Sequence, residues 1–347
     1  MRPRLTPPMA DVRRAVREGF AAAGLVSGDS VLVACSGGAD SLALAAAVAF
    51  EGPRAGLHIG AAIVEHGLQE ATKQVSADTA RVLAGLGFAN VEVIAVTVGT
   101  DGGTEAAARD ARYAALSEAA SRLGAKAVLL GHTLNDQAET VLLGLTRGSG
   151  LKSLAGMAPV TPASTDEKAG NQGAFVWLRP LLGIDRKTTE ALCTDSGLNF
   201  WTDPHNSDSA FTRVRIRAEA IPALEKTLGA SVVASLAKTA NLIQQDLGFL
   251  DEAAEQAYRS IVKRGPTGMT VSVEALANLH QAIRSRVIHR CIAVFGELPG
   301  KTHVDQVLEL VLNWHGQKEL TLPGVRVVRQ GDTITFKSSK TLRPGAC

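Results

Sequence analysis

Apolar residues fall along this chain in short unbroken runs rather than in strict alternation. Four runs stand out: Ser30–Ser36, Leu57–His66, Asn90–Val98 and Ala125–His132, all rich in Val, Ile, Leu and Ala. Runs of this length without a polar face predict strands covered by helices on both sides, as in a parallel sheet. Helical patterns lie between them at Asp40–Phe50, Glu70–Leu86 and Thr104–Leu123, with Gly87 and Gly124 closing the last two. This alternation predicts an α/β fold, a doubly wound and mostly parallel sheet joined by right-handed crossovers. Ligands of such sheets sit beyond the carboxyl ends of the strands, so the residues just after each run are expected to carry chemistry.

The pattern changes after Gly150. Thr161–Gly173 is polar and contains Gly and Pro, which predicts a loop. Arg213–Arg264 reads as mainly helical, with Pro222 at a kink or a helix start. Beyond Thr270 come two more helical patterns, then Glu319–Leu322 and a hairpin over Val325–Phe336 turning near Gly331-Asp332. The expected division is a catalytic domain over 1–215 and a smaller helical and α+β module over 216–347.

Composition narrows the class. Hydrophobic residues make up 46% and charged residues 20% of the 347 positions, which argues against disorder. The longest apolar run, Leu42–Phe50, is far short of the ~20 residues of a membrane span, and the start has no apolar segment of a secretory signal. A cytoplasmic enzyme is expected. The four cysteines (35, 193, 291 and 347) are too scattered for a zinc site or a disulfide framework. Net charge is uneven: −4 over residues 1–212 and +6 over 213–347. A basic rear half suits a polyanion, although solvated surface accounts for it equally well.

The strongest chemical signal is Ser36-Gly37-Gly38-Ala39-Asp40-Ser41, between the first strand and a helix. Glycines let backbone N–H groups approach phosphate oxygens, the helix N-terminus adds a positive dipole end, and two serines add hydroxyl donors. Asp40 fits beside phosphate only with a cation between, which assigns it to Mg²⁺. An N-cap also uses Ser, Asp and Gly, but the whole hexapeptide behind an apolar strand favours phosphate.

Gly131 and His132 end the fourth strand and are placed with the nucleotide-binding residues, followed by Asp136 and Glu139 on one helical face. That carboxylate pair suits an ammonium group; the helix dipole alone also favours acids there, and both readings stay open. Arg109 and Arg112 are likewise three apart, placed either to meet a phosphate or to face solvent. His66 falls where a nucleobase or ribose would rest, or serves as a hydrogen-bonded structural residue. Arg213, Arg215 and Arg217 present cations either to RNA phosphates and the site, or to solvent.

The hexapeptide resembles the PP-loop of the ATP pyrophosphatase superfamily, which cleaves ATP between the α- and β-phosphates. The ordered set of motifs is more specific. With residues 65–69 (EHGLQ), 108–116, 131–150, 178–182 (LRPLL), 203–217 and, more weakly, 323–336, the chain resembles bacterial tRNA(Ile)-lysidine synthetases over most of its length. The resemblance implies an adenine-nucleotide-hydrolase-like sheet and the use of ATP and Mg²⁺. It implies L-lysine as a partner, joined to C2 of the wobble cytidine in the CAU anticodon of tRNA(Ile) through an adenylylated tRNA. It further implies that Ser36–Ser41 hold ATP, Asp40 supports Mg²⁺ and adenylylation, and Arg112 stabilises phosphate charge. Asp136 and Glu139 would take the lysine amine, and Arg213, Arg215 or Arg217 would position substrate or intermediate. The oligomeric state is left open, with a homodimer as one option.

Two departures stand out: Asn135-Asp136 where the family usually has Asp-Asp, and Glu65-His66-Gly67-Leu68-Gln69 where it has Asn-His-Gly-Leu-Arg. The rival readings are a tRNA thiolase of the same superfamily, an ammonia-dependent amide synthetase, and a non-catalytic RNA-binding module. Thiolases resembling the thiocytidine type carry pocket cysteines, often CxxC, and this sequence has no such pair.

Overall fold

The computed structural model describes residues 5–65, 70–96, 104–147, 150–163, 175–203, 208, 210–266, 268–295 and 298–339. The chain forms two compact units, Met1–Ile243 and Gln244–Cys347.

The first unit is built on β1 (Ser30–Ala34), β2 (His58–Glu65), β3 (Asn90–Ala95), β4 (Ala125–Leu129), β5 (Val160–Pro162) and β6 (Val176–Leu178). Their order is β3-β2-β1-β4-β6-β5, parallel throughout except for β5, which runs antiparallel on the edge. The four strands and three helices expected from the sequence are present, the helices as α2 (Ala39–Glu51), α3 (Glu70–Leu86) and α4 (Thr104–Leu123).

Burial on both faces explains the unbroken apolar runs. Val31 and Val33 pack into a core with α2 and α1 (Pro7–Ala22), while Leu32 and Ala34 pack into a second core with α4. The alanine-rich α2 buries eight of its 13 residues, which its small side chains permit. Sequence reading passed over α1, where Pro7 and Pro8 occupy the first turn, a position proline tolerates.

The chain winds outward from β1 to β3 and then returns to the other side of β1 for β4. The carboxyl ends of β1 and β4 therefore flank a topological switch point. From there α5 (Leu134–Arg147) leads to α6 (Leu151–Leu154), and after β6 comes α7 (Arg186–Asp195).

A helical stretch follows: α8 (Thr212–Arg215), a π-helical turn at Ile216–Ala220 and α9 (Ile221–Leu228). Pro222, expected at a kink or a helix start, stands in the first turn of α9, directly after that π turn. Ile221 and Val233 form a small core with Ala138 of α5. The division expected at 215/216 thus falls inside the first unit, and α10 (Val232–Ile261) runs across the unit boundary.

The second unit carries the antiparallel sheet β7-β8-β11-β10-β9, from β7 (Val262–Gly265), β8 (Gly268–Ser272), β9 (Leu320–Leu322), β10 (Val325–Gln330) and β11 (Thr333–Ser338). The expected hairpin is β10–β11; the β7–β8 hairpin lies where helix was expected to give way. Helices α11 (Val273–Ala277), α12 (Gln281–Ala293) and α13 (Lys301–Leu312) share its core, centred on Ile288, Val307, Val327 and Phe336. Most of the loop expected at Thr161–Gly173 lies outside the described residues; Thr161 and Pro162 are strand. Among the described residues no single helix is long and apolar enough to cross a membrane.

Candidate functional site

A cavity of about 690 Å³ opens at the carboxyl ends of β1 and β4, lined by the β1–α2 turn, α4, the start of α5, Arg186, Trp201 and Arg213 and Arg217. The turn itself is tightly built. Gly37 has φ +83°, which an L side chain rarely adopts, and a Cβ there would lie 2.6 Å from the Thr79 hydroxyl of α3. Its carbonyl accepts from the backbone N–H of Trp201 at 2.9 Å. The Ser41 hydroxyl donates to the Gly38 carbonyl at 2.9 Å and accepts from the Ser36 backbone N–H at 3.1 Å. Gly131 lets β4 close on the start of α2, since a Cβ there would meet the Asp40 backbone at 3.1 Å.

Asp40 and Asp136 share one cation. Arg186, the first residue of α7, donates from Nε to Asp40 and from Nη2 to Asp136, each at 3.2 Å. Thr189, one turn on, donates a short hydrogen bond to the other Asp40 oxygen. Burial pushes the Asp40 carboxyl above its ordinary range, opposed by the Thr189 hydroxyl and Arg186. Burial pushes Asp136 the same way, but Arg186, the Thr133 donors and His132 outweigh it and hold it below the usual range. Those donors are the Thr133 backbone N–H at 2.8 Å and its hydroxyl at 2.9 Å, so Asp136 also caps α5 in the manner of a capping box.

Glu139 is fully buried and paired with Arg217 (Nε–Oε1 2.7 Å), with Arg213 at 4.0 Å. The three arginines expected here separate by helical geometry. Arg213 and Arg217 are four apart and face α5. Arg215 points away, its guanidinium donating to the Ala210 carbonyl and the Thr212 hydroxyl at 3.0 Å, and it does not line the cavity.

Arg112 lines the cavity, and among the described residues no ion pair involves it; burial, with Arg109 nearby, lowers its affinity for its proton. Neighbouring Tyr113 packs edge-on against Trp177, ring centres 4.7 Å apart. An uncompensated guanidinium at the mouth of a parallel sheet suits a phosphate oxygen. His132 lines the same cavity as Asp136, Arg109 and Arg112. Burial lowers its pKa to about 4, Asp136 opposing and Arg179, Arg112 and Arg109 assisting, and its buried Nδ1 has no hydrogen-bond partner among the described residues. His66 lies outside the described residues, as do Gly67–Gln69.

The structure thus brings together Ser36–Ser41, Arg112, Gly131, His132, Asp136, Glu139, Arg213 and Arg217. Sequence reading passed over Arg186 and Thr189. Their signal was faint: a helix start, with Asp185 as N-cap accepting from the Thr188 N–H at 2.7 Å, directly after LRPLL. The Asn135 departure has a local meaning. Its Oδ1 accepts from the Arg186 backbone N–H at 3.0 Å, an acceptor role that amide and carboxylate share.

A cation fits between Asp40 and Asp136, since both carboxylates reach one guanidinium, and Mg²⁺ is commonly held by one or two carboxylates plus substrate phosphates. Among the described residues no group of three His, Cys, Asp or Glu is arranged for a metal. Cys35, Cys193 and Cys291 are free and buried, and burial raises the Cys193 and Cys291 thiols to about 12, which keeps them protonated.

Comparison with known proteins identifies the family. Residues 10–224 match the PP-loop domain family, and 272–335 match the TilS substrate binding domain. The chain is similar to a tRNA(Ile)-lysidine synthase of Thermobifida fusca, 48% identical over 94% of this chain and 96% of that one. It is equally similar to the Salinispora tropica enzyme of the same name, 48% identical over 99% and 98%. The Mycobacterium tuberculosis counterpart is 44% identical over 91% and 92%. Among solved structures, the U34-tRNA thiolase NcsA from Methanococcus maripaludis with its [4Fe-4S] cluster has a TM-score of 0.53 at 18% identity, covering 68% of this chain and 80% of that one, a likeness of fold.

Proposed function

The chain belongs to the tRNA(Ile)-lysidine synthase family, and from that premise we propose that it ligates L-lysine to C2 of the wobble cytidine in the CAU anticodon of tRNA(Ile). ATP is consumed and the reaction runs in the cytoplasm. One observation supports the reading: the glycine turn of phosphate-binding pattern, an arginine with no ion pair among the described residues, and the half-buried carboxylates of Asp40 and Asp136 converge on a single cavity at the β1/β4 switch point.

An amine cannot displace a carbonyl oxygen from C2 until that oxygen becomes a good leaving group. The C2 oxygen first attacks the α-phosphorus of ATP and pyrophosphate departs. Ser36, Gly37, Gly38, Ala39 and Ser41 hold the phosphates with backbone and hydroxyl donors. Arg112 faces the charge that grows on the transferring phosphoryl group. Asp40, with Asp136 in reach, would hold Mg²⁺, which neutralises phosphate charge when bound.

The lysine ε-amine then attacks C2, the C2–O bond breaks and AMP leaves. Asp136 and Glu139 receive the ammonium before it sheds its proton, and Arg213 and Arg217 flank them. In the free protein each carboxylate already holds an arginine, so lysine enters by exchange rather than into an empty site. The second unit, with a modest net charge of +3 and matched over 272–335 to a substrate binding domain, contacts the tRNA.

The test is AMP release with tRNA(Ile) bearing CAU, with and without lysine. Lysine-dependent AMP release and lysine incorporation into tRNA are expected. AMP release that required a sulfur donor, or that proceeded without tRNA, would move the chain to another activity. Asp40→Ala is expected to abolish pyrophosphate release while leaving tRNA affinity nearly unchanged.

A further inference from the structure

Arg186 is the residue of this site that neither the motif reading nor the proposed chemistry uses. Its backbone is fixed from two sides: Asn135 accepts its N–H at 3.0 Å, and Asp185 caps the helix it begins. Its side chain is held less firmly. It makes one contact to Asp40 and one to Asp136, each at 3.2 Å, whereas Arg217 grips Glu139 at 2.7 Å with a second contact at 3.2 Å.

Both carboxylates are supported without it. Asp136 keeps the Thr133 N–H and hydroxyl, with Arg217 at 3.8 Å, and Asp40 keeps Thr189. Arg186 is therefore the exchangeable cation of the pair. It sits on the carboxylate proposed for lysine and on Asp40 within the proposed phosphate turn.

We propose that Arg186 is a positioning residue that couples the two substrate sites: it occupies Asp136 until nucleotide phosphates draw it away, so that ATP tightens lysine binding. This rests on the assignment of lysine to the Asp136–Glu139 pair. The triphosphate carries several negative charges against one on each carboxylate, and a guanidinium fork matches phosphate oxygens. When the fork turns to phosphate, Asp136 loses its nearest counter-charge and accepts an ammonium more readily. Lysine and ATP each pull the same guanidinium arrangement towards one state, so the coupling is positive and reciprocal.

The experiment is equilibrium dialysis of labelled lysine against the full-length protein, with and without a non-hydrolysable ATP analogue in magnesium. The analogue is expected to tighten lysine binding of the unaltered protein by about fivefold or more, the lower range of measured site-to-site couplings. In Arg186→Gln, lysine is expected to bind about equally well with and without the analogue. Arg186→Lys, whose compact ammonium lacks the fork that spans two carboxylates, is expected to lose most of the coupling, and it is read by the same criterion if the Gln variant does not fold. Equal coupling in the variants, or none or a negative one in the unaltered protein, overturns the proposal. Saturable lysine binding with unchanged coupling would defeat this inference alone. Absence of lysine binding in every arm would defeat the lysine-ligase reading as well.

Discussion

Glu139 and Arg217, 78 residues apart in the chain, meet in a two-point contact, Nε to Oε1 at 2.7 Å and Nη2 to Oε2 at 3.2 Å. The Glu139 side chain is wholly buried and the Arg217 side chain keeps 34% of its surface. The pair ties α5, which carries Asp136 into the cavity, to the π turn that carries Arg217. It is at once a structural clasp and part of the proposed lysine site.

Removing one partner leaves the other charge only a longer contact, Asp136 at 3.8 Å for Arg217 or Arg213 at 4.0 Å for Glu139. Glu139→Ala is expected to cost about 2–4 kcal/mol, below the upper range for broken buried pairs because Arg217 retains contact with water. Chemical denaturation measures this directly. The Glu139→Ala/Arg217→Ala double variant should cost clearly less than the two single variants added together, since the second change removes the stranded charge. Strict additivity would show that the two side chains do not interact.

The turn at Gly37 makes a separable prediction, because two obstacles stand against any side chain there. One is φ +83°, the other the Thr79 hydroxyl 2.6 Å from a Cβ. Gly37→Ala is expected to lose about 1–3 kcal/mol of stability and to raise the KM for ATP. Adding Thr79→Ala removes the clash but not the backbone strain, so it should restore part of the loss. Full restoration, read from thermal melts and KM, would mean that backbone conformation contributes nothing.

Much of the first unit was legible because burial on both faces leaves a plain trace. Strands such as Val31–Ala34 have no polar positions to confuse their assignment, and the turn following them carries the Gly and Ser pattern expected of a phosphate-binding turn. Asp136 and Glu139 were legible as a pair and Arg217 as a candidate near the site, but not Arg186 nor the pairing of either arginine with its carboxylate, because these arginines lie 50 and 78 residues further on. Spacing speaks for neighbours on one helix, not for partners across a fold. Arg215 shows the reverse: alternation with Arg213 and Arg217 looked significant, yet a helical period turns it outward. The antiparallel β5 and the β7–β8 hairpin were missed because strands of three to five residues carry little periodic signal.

Asn135 tests the departure from the usual Asp-Asp. Its role here is to accept the Arg186 N–H, which a carboxylate also does. Asn135→Asp is expected to change stability by less than about 0.5 kcal/mol, with the negative charge at the start of α7 favoured by the helix dipole and opposed by Asp136. Asn135→Ala removes the acceptor and should cost about 1 kcal/mol, the scale of a lost helix cap. A large loss on Asn135→Asp, read from denaturation midpoints, would show that the amide donor is in use.

His132 makes the acid limb of stability measurable. Its pKa is lowered to about 4, from burial and from Arg179, Arg112 and Arg109, with Asp136 working against them. The unfolded chain therefore binds a proton at this residue over the range from about 6.5 down to 4 while the folded protein does not. Stability falls as pH falls through that window, and His132 contributes up to about 2–3 kcal/mol of the change. Asp136, held below its ordinary range, loses its contribution only at still lower pH, and Asp40, raised by burial, works in the opposite sense above the usual carboxylate range. The expected signature is a decline in unfolding free energy between pH 6.5 and 4.5 that is shallower in His132→Asn. The amide keeps a polar atom near the position of Nδ1 but takes up no proton. An unaltered slope in the variant would place the acid sensitivity elsewhere in the protein and the imidazole in contact with water.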